Sequence, residues 1–167
     1  MHSGANTQSN SFRNMTLLVF VFYALILFKL ILFKRSPGYY KNHFLHHYSW
    51  QLVKSNFKSA NYTPFATIIL FAKSRLQMGD IMANLVGNIV GFIPLGILLP
   101  VLFRNYNSAK KVIATVFVVS LSFEIVQLFT VLGNFDVDDL MLNTLGGSLG
   151  YLIFRAERNY AARRQQV

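Results

Sequence analysis

Four apolar runs divide this chain: Met15–Phe33, interrupted by Lys29, then Ile81–Phe103, Val112–Leu132 and Leu140–Phe154. A helix needs roughly 17–25 apolar residues to cross the hydrocarbon of a bilayer. The first three runs reach that length. The fourth reaches it when Asp138, Asp139 and Arg155 send their polar heads to the interface. The pattern therefore predicts an all-α integral membrane protein with four transmembrane helices. A further run, Thr63–Ala72, is too short to cross, so 60–73 (ANYTPFATIILFAK) reads as an interfacial or re-entrant segment between helices 1 and 2. The divisions are a disordered polar N-terminus (1–14), helix 1 (15–33), an amphipathic or re-entrant connector (34–80), a core of helices 2–4 (81–155) and a basic tail (156–167). The first run is too long for a signal-peptide core and no A-x-A site follows it, which predicts a retained anchor.

Polar residues interrupt this pattern in one region. Of six Asp and Glu residues, four lie between 124 and 139: Glu124 inside the third run, and Asp136, Asp138 and Asp139 at the mouth of the fourth. An ionisable residue within a span costs several kcal/mol and points to a working site. On a helix, Asn84 and Asn88 share one face of the second span. Glu124 and Gln127 share a face of the third, and Asp139 and Asn143 a face of the fourth. The second and fourth spans begin where the third ends. All six residues then fall at one depth, roughly 5–12 Å below the acidic loop. The amides also suit plain interhelical hydrogen bonding, and an aspartate at 138 or 139 suits capping of the fourth helix. Gly87-x-x-x-Gly91 and Gly146-x-x-x-Gly150 read as close-packing faces, and Pro94 as a kink.

Composition narrows the function classes. Of 167 residues, 53% are hydrophobic and 13% charged, which excludes an ordinary soluble domain. The net charge is +10, but the bases sit at the ends of the apolar runs (Lys34, Arg35, Arg104, Lys110, Lys111, Arg155, Arg158), where they meet lipid heads rather than nucleic acid. Cysteine is absent, excluding thiol catalysis and Cys-based metal sites. His43, His46 and His47 lie among aromatic residues and read as an interfacial belt rather than metal ligands. The 104–111 loop carries three bases and the tail four, whereas 133–138 carries none and two aspartates. The positive-inside rule then places both termini in the cytoplasm and the acidic loop outside; the seven bases of 34–80 pull the other way, but long segments weigh less.

Four blocks carry a resemblance: Asn61-x-x-Pro64-Phe65; Asn84-x-x-x-Asn88-x-x-x-Phe92-x-Pro94-Leu95-Gly96; Glu124-x-x-Gln127; and Phe135-Asp136-Val137-Asp138-Asp139-x-x-x-Asn143-x-x-Gly146. In this order, from about 61 to 154, they resemble the VanZ-like family of bacterial membrane proteins, named for a teicoplanin-resistance protein. The family usually carries an arginine just before the FDxxD block; here Val131-Leu132-Gly133-Asn134 has no base. A cation from 34–80 or a bound metal is expected in its place.

The resemblance implies a multi-pass protein of the bacterial cell membrane involved in glycopeptide resistance. It supplies no reaction. Two readings of the site remain. In one, the acidic pocket binds the head group of a lipid or lipid-linked wall precursor, or meets the glycopeptide itself, with Asn61, Asn84, Asn88, Gln127 and Asn143 as ligand-binding residues. In the other, Glu124, Asp136 and Asp139 are catalytic and hold a divalent cation, with Asn88 and Asn143 completing its oxygen shell, for chemistry on a lipid-linked phosphate. A proton relay through Glu124 ranks behind both, since four spans need a homo-oligomer to form a pathway. Expected partners are membrane lipids, and no nucleic acid.

Overall fold

The structure, a computed structural model, describes residues 3–73 and 78–164; residues 1–2, 74–77 and 165–167 of the expected N-terminus, connector and tail lie outside the described residues. Its elements are helical: α1 (Ser3–Leu32), α2 (Pro37–Asn42), a π-helical turn (His43–His47), α3 (Trp50–Ser59), α4 (Ala66–Lys73), α5 (Met78–Leu102), α6 (Ala109–Thr130) and α7 (Val137–Arg164). Within α1, α5 and α6, the segments Asn10–Leu32, Asn84–Leu102 and Ala109–Thr130 are long and apolar enough to cross a membrane. The chain is thus an all-helical protein with the build of a membrane protein.

Two boundaries differ from the sequence reading. The first helix begins at Ser3 rather than Met15, and the last continues to Arg164 through the expected basic tail. Neither extension contains proline, and adding residues to an existing helix is far easier than nucleating one. The α5 helix runs unbroken through Pro94 and Pro100.

The apolar core joins Leu27 of α1, Phe92, Leu95 and Leu99 of α5, Val112 and Val116 of α6, and Tyr151 of α7. Glycines bring α5 and α7 together. A Cβ on Gly146 would collide with the Ile89 carbonyl, one on Gly150 with the Ile93 carbonyl, and one on Gly96 with the Gly147 carbonyl. Residue numbers rise together along this contact, so the two helices run parallel. The α7 pair Gly146/Gly150 packs as expected, but Gly87 and Gly91 do not serve as the opposing face. Gly87 has open space where its Cβ would be, and Gly91 faces only Leu27; the close approach on α5 uses Gly96 instead.

The connector closes the end of α6. A helix leaves its last carbonyls without partners, and three connector residues supply donors. Asn56 Nδ2 donates to the carbonyls of Leu128 and Gly133, each at 3.0 Å, and Tyr48 Oη to Phe129 O at 3.0 Å. His43 Nε2 lies 2.9 Å from Thr130 O, so its ring N–H donates there. His43 is buried, with its ring against Tyr39, Phe44 and Tyr48. Val131, at φ 57°, ends the helix in the left-handed conformation. Asn56→Ala leaves one buried and one half-buried carbonyl without this donor and is expected to cost about 2 kcal/mol. Detergent-unfolding curves measure that cost, and faster hydrogen exchange in 37–59 localises it.

Candidate functional site

Where the acidic segment begins, the chain makes a knot of short-range bonds that holds each aspartate in a different environment. Asn61 N donates to Phe135 O at 2.8 Å and Val137 N to Asn61 O at 3.1 Å, forming a single parallel bridge between the connector and the start of α7. Asp136 is the N-cap of α7: its Oδ1 accepts from Asp138 N at 2.8 Å. Asn61 Nδ2 also donates to that oxygen, at 2.8 Å, and Thr67 Oγ1 donates to Oδ2 at 2.6 Å.

Asp138, expected as a cap of its own helix, caps another. Its carboxylate accepts from the backbone N–H groups of Phe65, Thr67 (2.8 Å) and Ile68 (3.2 Å), the first turn of α4. A negative charge at a helix N-terminus is favourable, and Asp138 is fully buried there. Phe65, at φ 66°, is held in a conformation that bulky residues avoid. The short α4 is thereby fixed against α7 by a charged cap contributed from 70 residues downstream.

Asp139 is freer. Its Oδ1 accepts from Asn88 Nδ2 at 2.6 Å, and the residue lines a cleft of about 780 Å³. Glu124 is 2% exposed and lies behind the cleft wall, where its Oε2 accepts from Asp136 N at 2.9 Å. Gln127 Nε2 donates to Ile31 O at 3.1 Å, linking α6 to the end of α1. Asn143 is 4% exposed and lies outside the cleft, between α6 and α7. Its Nδ2 donates to Ser120 Oγ at 2.9 Å, and its Oδ1 is a buried acceptor without a partner.

The cleft therefore collects Asn61, Asn84, Gln127, Asp136 and Asp139 of the expected residues, while Asn88 positions Asp139, and Glu124 and Asn143 stand behind. The same cleft is lined by two cations, Lys34 and Arg35, which come just after the end of α1. The Arg35 guanidinium lies over the Tyr39 ring at 4.9 Å, and Tyr40 Oη accepts from Arg35 N at 2.7 Å. These two bases share the cleft with Gly133 and Asn134 of the turn where the sequence lacks its expected arginine. The site is thus dipolar, not simply acidic.

The candidate cation ligands Glu124, Asp136 and Asp139 sit in three different hydrogen-bond settings. Among the described residues no three His, Asp or Glu side chains are grouped to hold an ion. Both oxygens of Asp136 are taken up by N–H or O–H donors, Asn88 presents its N–H₂ to Asp139, and Asn143 turns to Ser120. Asn88 and Asn143 are thus engaged with different partners, Asp139 and Ser120, through their N–H groups. Sequence reasoning did not single out Thr67, Asn56 or Ser120. Only Ser120 had a visible signal, lying four residues before Glu124 on the same helix face.

The family model described as VanZ/LLP1 matches residues 20–158. Protein VanZ of Enterococcus faecium is 35% identical over 97 residues, covering 58% of this chain and 53% of that protein, so the match spans about half of its length. No solved structure matches. The matched region holds the second and third spans, most of the first, the connector and the whole cleft, and the chain belongs to the VanZ/LLP1 family.

Proposed function

We propose that this protein is a four-span bacterial membrane protein whose cleft opens on the outer side and binds the head group of a lipid or lipid-linked wall precursor. In that way it modulates the response of the envelope to teicoplanin-type glycopeptides. The observation that carries this reading is that Lys34 and Arg35 line one cleft together with Asp136 and Asp139. Opposite charges held apart on rigid elements recognise a polar head group without needing catalysis.

The fourth span is α7. It runs parallel to α5 and in close contact with it, so the apolar stretch Leu140–Phe154 covers much of the depth that α5 crosses. Its glycines, serine and asparagine lower its apolar character because they face protein rather than lipid. With four spans, the basic 104–111 loop and the basic end of α7 lie on the cytoplasmic side with both termini, and the cleft faces out.

Teicoplanin susceptibility of a sensitive Gram-positive host tests the reading. Cells expressing the wild type are expected to be protected, and Lys34→Glu and Asp139→Asn, at equal membrane levels, to lose that protection. Full protection by both variants would remove the cleft from the function.

A further inference from the structure

The polar cleft does not end at its charged walls. Lys34 and Asn84 also line a second, smaller cavity of about 240 Å³ between α1 and α5. Its walls are Leu27, Leu30 and Ile31 on one side and Phe92 on the other, with Gly87 and Gly91 between. This cavity lies toward the hydrocarbon, since Leu30 and the neighbouring α1 residues Ile26 and Phe28 are exposed large apolar groups on a membrane span. Gly87 has no turn to make and no helix to admit; nothing lies within 4 Å of where its Cβ would be. Its lack of a side chain leaves the groove open.

Resting on the head-group reading above, we infer that the cleft and groove together hold one amphiphile with a phosphate-and-ammonium head and a hydrocarbon chain. The phosphate lies at Lys34 and Arg35, the ammonium at the open side of Asp139, and the first part of the chain along Gly87 and Gly91 between α1 and α5. Charge complementarity fixes the head: two bases and two carboxylates line the same cleft. Continuity fixes the chain, because the same Lys34 and Asn84 border both spaces. Asn88, which also borders the groove, holds the Asp139 carboxylate at the junction.

The test uses the full chain in nonionic micelles and a lysophosphatidylethanolamine carrying a photoreactive group near the head end of its chain. Soluble glycerophosphoethanolamine, which has the head and no chain, serves as competitor and as a separate ligand followed by NMR. Adducts are expected on 27–31 and 87–92, suppressed by the competitor. A Cβ at Gly87 meets nothing within 4 Å, so Gly87→Leu, whose side chain extends into the groove, should keep the wild-type unfolding curve while adduct yield falls roughly tenfold, as expected when a few methylenes lose their burial. Adducts spread over the lipid-facing side of α1 and α6, insensitive to Gly87→Leu, would overturn the groove while glycerophosphoethanolamine binding left the head-group reading intact. Absence of glycerophosphoethanolamine binding to the wild type would overturn both. Dissociation of a dimer by Gly87→Leu, with lipid adducts unchanged, would assign the groove to a second copy of the chain and overturn the inference.

Discussion

Leucine in place of Gly146 or Gly150 is expected to separate α5 from α7 and destroy the bundle. At both positions a Cβ alone would collide with a backbone carbonyl of α5, Ile89 O and Ile93 O respectively. A backbone oxygen cannot rotate away as a side chain can, so the helices must part along the contact that aligns them. The expected loss is about 3 kcal/mol or more, the upper part of the range for overpacked sites. Separation would also move Asn88 from Asp139 and open the cleft. The measurement is unfolding by denaturing detergent, with Gly87→Leu as the comparison at open space. Equal stability of Gly146→Leu and Gly87→Leu would contradict the packing described.

Asp138→Ala is expected to have the next largest effect, although Asp138 faces no cleft. Three backbone N–H groups at the start of α4 lose a buried charged acceptor at once. Hydrogen bonds to charged groups contribute more than neutral ones, and orphaned buried donors add their desolvation cost; about 3 kcal/mol is expected. Amide exchange at Phe65, Thr67 and Ile68 should accelerate, and proteolysis should reach 60–73. Asp139→Asn, by contrast, removes a carboxylate with one side-chain bond, from Asn88. It should change stability by less than about 1 kcal/mol while abolishing function. Two adjacent aspartates thus divide into one that builds the site and one that serves it.

The helices were legible because hydrophobic runs of span length admit little else, and the acid-rich end of the bundle was legible because carboxylates are costly there. The individual roles were not. Asp138 caps a helix some 70 residues away, a pairing that no local spacing reveals. Lys34 and Arg35 looked like ordinary span-end bases, and only the fold brings them into one cleft with Asp136 and Asp139. Asn56 lies in a polar stretch with no pattern of its own, yet it closes α6. The glycine pattern was half informative: spacing on α7 matched a real contact, whereas the same spacing on α5 faced a groove.

A cleft that meets head groups on the envelope side must open outside the cell, and the absence of cysteine makes this directly measurable. Asn134 is exposed at the mouth of the cleft, and Asn105 is exposed in the loop at the opposite end of α6. Single substitutions Asn134→Cys and Asn105→Cys are labelled in intact cells with a membrane-impermeant maleimide. Labelling of Asn134→Cys in intact cells, with Asn105→Cys reacting only after permeabilisation, is the result predicted here. The reverse pattern would place the cleft in the cytoplasm and contradict the proposed role.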